Sequence, residues 1–165
     1  MSPLSLKPFF SYAMNRPSTR VATSKDIEAV AILFDAYRQF YAQDADPQLA
    51  TTFIHDRIEK NESVILVAEN ESFELLGFCQ LYPTFCSVIA APVCTLYDLY
   101  VQPEARKSGV GEALLRTAER YATQNGFARM DLATAKTNSP AQSLYESLGW
   151  ERDEDFYTYS KQPKG

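Results

Sequence analysis

VCTLYDLYVQPEARKSGVGEALL, residues 93–115, changes period in its middle. Its first part, 93–103, is rich in β-branched and aromatic residues and reads as a long strand. Arg106, Lys107, Gly109 and Gly111 follow within six positions. A helix then runs over 110–124, with Val110, Leu114, Ala118 and Tyr121 as the buried stripe and Glu112, Arg116, Glu119 and Arg120 facing water. Asn125-Gly126 stops that helix, and ARMDLATA (128–135) reads as another strand. A strand, a helix and a strand in this order predict a parallel crossover. They also place two cations and two glycines at a helix start.

Upstream, SVILVAE (63–69), the turn NES and FELLGFCQLYP (73–83) predict an antiparallel hairpin leading into the strand at 93–103. TRVA (19–22) is a short strand. TSKD (23–26) has the capping-box spacing, and Ile27, Val30, Ala31, Phe34 and Tyr37 continue at helical spacing. AQDADP (42–47) is an acidic loop, and a second helix is expected over 48–60. Downstream, NSPAQSLYESLG (138–149) reads as a helix with Ser139 as cap, Pro140 at the first position and Gly149 at the end. DFYTYSK (155–161) alternates like a closing strand. The expected fold is a mixed α/β sheet, mostly antiparallel in its first half, with about 6–7 strands and about four helices. Residues 1–18 read as an N-terminal extension rather than a signal peptide, because Pro3 and Pro8 interrupt them. Residues 19–165 are expected to form a single domain.

Composition removes several function classes. Hydrophobic residues make up 45% of the 165, enough for a core, and the net charge of -5 leaves no basic surplus for nucleic acid. Cys79, Cys86 and Cys94 have no CxxC spacing, and His55 is the only histidine. That pattern fits a reducing cytoplasm and argues against a disulfide framework, a metal site or a Ser-His-Asp hydrolase. The longest apolar run, CSVIAAPVC, is too short for a membrane span.

Glycines at a helix start let an anion approach unpaired backbone N–H groups, where the helix dipole adds partial positive charge. The P-loop pattern is absent, and Leu114 occupies the third glycine position of a dinucleotide fingerprint. A nucleotide-binding oxidoreductase is therefore disfavoured. A tight turn with solvated basic residues accounts for the loop equally well when it is taken alone.

Arg106-Lys-Ser-Gly109-Val-Gly111 resembles the acetyl-CoA signature of the GNAT superfamily of N-acetyltransferases. TNSPAQSLYESLGW resembles that family's Asn-x-x-Ala-x-x-x-Tyr-x-x-x-Gly-Phe/Trp segment, with Asn138, Ala141, Tyr145, Gly149 and Trp150 in place. The resemblance covers about 19–160 and implies a sheet splayed between the strands at 93–103 and 128–135. It implies acetyl-CoA as co-substrate, its pyrophosphate on Arg106, Lys107, Ser108, Gly109, Val110 and Gly111. Its pantetheine arm would lie along Leu99, Tyr100 and Val101, with Asn138 as a further partner. By spacing alone Asn138 is equally a second helix cap, and Tyr145 belongs to the core stripe Ala141, Leu144, Tyr145, Leu148. The resemblance implies that Tyr145 is catalytic, donating a proton to the departing thiolate.

Acetyl transfer from a ternary complex to a primary amine is the implied reaction; a catalytically inactive acyl-CoA sensor is the alternative. Many members of the family carry a glutamate on the strand that 93–103 resembles. Here Thr95 and Tyr97 take the parity that faces the cleft, and a regular strand turns Asp98 to the other face. The sequence thus assigns no base. YDLYV, RKSGVG and GFCQLYPTF (77–85) look most like small polyamine and diamine acetyltransferases, although an amino acid or peptide amine is also an open acceptor. The resemblance places the acceptor side at helix 27–41 and the loop after it, which makes Tyr37, Tyr41, Asp44, Asp46 and Tyr97 the expected acceptor-side residues; aromatics with carboxylates suit a cation, and the helix end and loop equally suit plain packing and solvation. A homodimer is expected from the same resemblance, and neither a metal nor a membrane is.

Overall fold

Residues 17–163 are described by the computed structural model. The extension expected over 1–18 lies outside them except for its last two residues. The chain divides into two compact units, one ending at Leu132 and one beginning at Ala133.

The first unit is a five-stranded sheet in sequence order, β1 (Ser18–Val21), β2 (Val64–Glu69), β3 (Leu75–Cys86), β4 (Ala91–Val101) and β5 (Met130–Leu132). The first three pairings are antiparallel and the last is parallel. Between β1 and β2 lie α1 (Ile27–Phe40) and α2 (Pro47–Glu59), and α3 (Val110–Gln124) makes the crossover from β4 to β5.

Each face of the sheet is covered, which is why VILVAE carries almost no polar residue. Ile65 and Val67 of β2, Phe78 of β3 and Tyr100 of β4 pack with Val30, Leu33 and Phe34 of α1 and Ala50 and Ile54 of α2. The alternate residues Leu66, Cys79, Leu81 and Leu96 are buried toward the face served by α3. There Val110, Leu114, Leu115, Ala118 and Ala122 are buried. Tyr121, expected in that stripe, is only half-buried, and Leu115 and Ala122 widen the apolar face instead. Each fully buried leucine contributes about 1.5–3 kcal/mol by leaving water.

The entry to α1 is fixed by charge. Thr23 and Asp26 form the capping box expected from TSKD. Asp26 also accepts two hydrogen bonds from Arg20 of β1, at 2.8 and 2.9 Å, and Arg20 donates to Glu69 of β2 at 2.9 and 3.0 Å. The guanidinium holds the Asp26 carboxyl at about 2, below its ordinary 3.8. Asp35, buried in α1, accepts from Arg38, Gln39 and the backbone N–H of Asp46, and so ties the acidic loop to the helix.

Two features of the sheet position the site. The parallel pairing of β4 with β5 covers only Cys94–Met130, Thr95–Asp131 and Leu96–Leu132, and 133–138 contains no strand. The sheet thus stops pairing at this edge where Tyr97–Val101 begins. In the antiparallel ladder, Gln80 pairs Asp98 while Leu81 pairs Leu96, which leaves Tyr97 as the extra residue of a β-bulge.

The second unit contains α4 (Ser139–Ser147). Its cap is Asn138 rather than Ser139, with the Asn138 carbonyl oxygen accepting from the N–H of Ala141. Gly149 follows the helix at φ +86°, a left-handed conformation that suits glycine. The closing strand expected over 155–161 does not form. Residues 151–163 contain neither helix nor strand, and Phe156, Tyr157 and Tyr159 are 83–90% exposed. Alternation makes a segment fit for a strand, but a strand also needs a ladder partner for its N–H and C=O groups. The sheet therefore has five strands, not the 6–7 expected.

Candidate active site

At the end of β4 the chain makes a short 3-10 turn (Pro103–Ala105) and then the glycine loop. Lys107 has φ +60°, and Gly109 has φ +87°. A Cβ built on Gly109 meets nothing within 4 Å, so the space beside that backbone is open. Gly109 is the N-cap of α3 and brings no capping side chain, so no side chain competes with a ligand for the first N–H groups of the helix. Ser108 steadies the turn by donating its hydroxyl to the Ala105 carbonyl at 2.6 Å. This donor set of backbone amides, with Lys107 beside it, fits a pyrophosphate.

Arg106 points back along β4. Its Nε donates to the Val101 carbonyl at 3.0 Å, and its guanidinium carbon lies 5.7 Å from the Tyr100 ring and 5.8 Å from the Phe40 ring. Leu99, Tyr100 and Val101 are thus adjacent to the loop along a single strand. Gly77 lets β3 approach closely there, because a Cβ on it would sit 2.5 Å from the Tyr100 carbonyl oxygen.

The bulge at Tyr97 changes the face of Asp98. In a regular strand Asp98 would share the face of Leu96; with one extra residue it pairs with Gln80 and joins the face of Phe78, Tyr100 and α1. The expectation that it turns away from that face is thereby overturned. Asp98 is 5% exposed and accepts from Gln80 Nε2 at 2.7 Å. Burial raises its pKa, and hydrogen bonds from Gln80 and Tyr37 act in the opposite direction. Among the described residues no Lys or Arg forms an ion pair with it.

Tyrosines surround this carboxylate. Tyr37 of α1 hydrogen-bonds Asp98 and reaches the Tyr97 carbonyl at 3.5 Å. Its ring meets those of Tyr41 at 5.1 Å and Tyr100 at 6.4 Å, edge to face. Tyr97 packs edge-on against Tyr82 at 5.6 Å. The Tyr82 phenol is pushed up to about 12, by burial first and then by the Asp98 charge.

Of the acceptor-side residues expected from sequence, Tyr37 and Tyr97 therefore lie beside Asp98, and Tyr41 packs on the Tyr37 ring. Asp46 is spent on structure, its carboxylate capping α2 through the Leu49 N–H at 2.9 Å. Asp44 is exposed, and its carbonyl accepts from Arg38. Sequence reasoning set Asp98 aside by strand parity and did not single out Gln80 and Tyr82. A signal existed for two of them: Gln80 and Asp98 are polar residues inside apolar strands, a combination that needs an internal partner.

In the second unit Tyr145 is buried, with its ring 6.2 Å from that of Trp150. Its carbonyl accepts from the Leu148 and Trp150 N–H groups at 3.0 and 3.1 Å, which shapes the turn into Trp150. Asn138 uses its carbonyl oxygen on the helix it caps. No group of three His, Cys, Asp or Glu residues able to hold a metal ion occurs among the described residues. Nor is any helix among them long and apolar enough to cross a membrane.

Comparison with known proteins identifies the family. The profile of the acetyltransferase (GNAT) family matches residues 28–150. The chain is 48% identical over 140 residues to "Uncharacterized N-acetyltransferase YhfO" of Bacillus subtilis, spanning 85% of this chain and 93% of that protein. It is 29% identical over 125 residues to a "Probable acetyltransferase" of Haemophilus influenzae, 76% of this chain and 84% of the relative. A solved structure described as "Crystal structure of a probable acetyltransferase" superposes with a TM-score of 0.84 at 36% identity, over 90% of this chain and 99% of that one.

Proposed function

The chain belongs to the GNAT family of acetyltransferases, and from that premise we propose that it transfers the acetyl group of acetyl-CoA to a small primary amine by direct attack in a ternary complex. The observation that carries the acceptor class is Asp98. A buried carboxylate with only neutral hydrogen-bond partners among tyrosines is complementary to an alkylammonium.

Acetyl-CoA supplies the acyl group as a thioester. Residues 106–111 bind its pyrophosphate through backbone N–H groups and the Lys107 charge. The edge of β4 at Leu99, Tyr100 and Val101 binds the pantetheine arm as an added strand would. Asn138 is assigned to the same arm by its place in the Asn-x-x-Ala segment. Arg106 would exchange its contact with the Val101 carbonyl for the co-substrate.

Tyr37, Tyr41 and Tyr97 orient the amine, and Asp98 receives its proton. An alkylammonium with a pKa of about 10.4 is mostly charged at neutral pH, and keeping it neutral at pH 7 costs about 4.6 kcal/mol without a base. Attack forms the C–N bond and breaks the C–S bond. Tyr145 gives its phenolic proton to the departing sulfur; a phenol with an ordinary pKa of about 10 is a donor at neutral pH. Ammonium and thioester become amide, thiol and one released proton. Tyr145 takes this role from its position in the motif.

The test is thiol release from acetyl-CoA with a panel of amines, repeated with Tyr145→Phe. Turnover with small primary amines is expected, and Tyr145→Phe should lower kcat about 10²–10⁴-fold at near-normal acetyl-CoA affinity. Tight acetyl-CoA binding without turnover on any amine would instead make the protein an acyl-CoA sensor. Wild-type kcat in a folded Tyr145→Phe protein, with chemistry rate-limiting, would return the leaving-group proton to water.

A further inference from the structure

A hydrogen-bond chain enters the site from the far side of the sheet ladder. Ser63, half-buried just before β2, lies with its Oγ 2.7 Å from Gln80 Oε1. Gln80, fully buried in the middle of β3, donates through Nε2 to Asp98 Oδ2, also at 2.7 Å. A fully buried primary amide between two apolar neighbours, Cys79 and Leu81, is costly unless both of its ends are satisfied. Its oxygen meets Ser63 and its nitrogen meets Asp98, and these two partners are chemically unlike. An ionised carboxylate only accepts, so it must face the amide nitrogen. The carboxylate thereby fixes the amide's direction, and the Ser63 hydroxyl, which can donate, takes the amide oxygen.

We infer that Gln80, its amide oxygen held by Ser63, is a positioning residue that holds the Asp98 carboxylate in place as acceptor for the incoming amine. This rests on the reading of Asp98 as the base. Gln80 touches no reacting atom and acts through Asp98. Its donation favours the ionised carboxylate against burial, which favours the neutral one. The other groups near Asp98 are Tyr37 from α1, Tyr82 from β3 and Tyr97 from β4, with the Cys79 thiol on the opposite face of β3. Arg57 of α2 acts on Tyr82 at this end of the site. Burial pushes the Tyr82 phenol and the Cys79 thiol up, away from the acid range in which a carboxyl titrates. The carboxylate thus depends on neutral donors, and only Gln80 among them is itself fully buried and pinned at its other end.

The experiment compares pH profiles of kcat/KM for the amine in wild type, Gln80→Met, Ser63→Ala and Asp98→Asn. The acid limb of such a profile reports the base of the free enzyme. Gln80→Met keeps length and volume but removes the donor, and should move the acid limb upward by about one pH unit, or about tenfold in kcat/KM on the limb. Ser63→Ala leaves the amide oxygen without that partner and loosens the amide, and should move the limb the same way by less. Asp98→Asn should abolish the limb. A folded Gln80→Met protein with an unmoved limb overturns the positioning role. Should Gln80→Met fail to fold, Ser63→Ala decides: an upward shift supports the role and an unmoved limb overturns it. If Asp98→Asn keeps wild-type rate and limb, the base reading fails, and the Gln80 inference fails with it for that separate reason.

Discussion

The glycine loop and the Asp98 pocket sit at the two ends of the same short run of β4, yet they are built from different material. The loop offers backbone: N–H groups, left-handed φ angles and open space beside Gly109. The pocket offers side chains from α1, β3 and β4, packed so that no buried polar side-chain atom lacks a hydrogen-bond partner among the described residues. A backbone site suits a ligand part that never varies, such as a pyrophosphate. A side-chain site can be retuned one residue at a time without moving the other. Binding of the co-substrate and handling of the amine should therefore be separable by mutation.

The largest separation is expected from Asp98→Asn. It keeps size and removes the charge, so kcat/KM for an amine should fall about 10²–10⁴-fold. Calorimetric affinity for acetyl-CoA should stay near wild type. A parallel loss of acetyl-CoA affinity would break the division between the two ends.

The scaffold under the pocket gives the next effect. Asp26→Asn removes the carboxylate that Arg20 grips at the start of α1, the helix that carries Tyr37. With the folded pKa held at about 2 against an ordinary 3.8, the native state disfavours the proton. The stability it contributes is therefore present above the ordinary value and lost as pH falls toward 2. The size is about 2 kcal/mol at neutral pH, an upper value because Arg20 is partly exposed. Urea melts at neutral and acid pH check it: Asp26→Asn should cost stability at neutral pH and little at the acid end. An equal cost at both would assign the loss to packing.

Gly109→Val is the smallest of the three and the mirror of the first. A side chain there meets no neighbour, so the change acts through the strained φ and the filled space. Acetyl-CoA affinity should weaken roughly tenfold, about 1.4 kcal/mol. At saturating co-substrate kcat should remain. Unchanged affinity in a folded protein would move the pyrophosphate away from this loop.

The same contrast explains what was legible in the sequence. Backbone sites announce themselves locally: Gly109 and Gly111 stand next to each other's turn and open a helix whose stripe is visible. The capping box at Thr23 and Asp26, both helices before β2 and the parallel crossover were likewise local patterns. The pocket was not local. Strand parity places Asp98 on one face, and only the one-residue mismatch between Gln80–Asp98 and Leu81–Leu96 moves it to the other. A bulge has no periodic signature, because it is settled by the partner strand. Asp46 shows the converse error: an acid in a loop beside aromatics looked like a ligand group and is a helix cap. The tail at 155–161 failed for a related reason, since alternation describes a strand's faces and says nothing of its edges.

Trp150 is the only tryptophan in the chain, and its ring lies 6.2 Å from that of Tyr145. The protein thus carries a built-in optical reporter at the residue assigned to the leaving group. Tyrosine emission passes to a nearby indole, and indole emission responds to the polarity and charge around it. With excitation selective for indole, any fluorescence change on adding coenzyme A comes from one identifiable ring, with no label attached and no second indole to subtract.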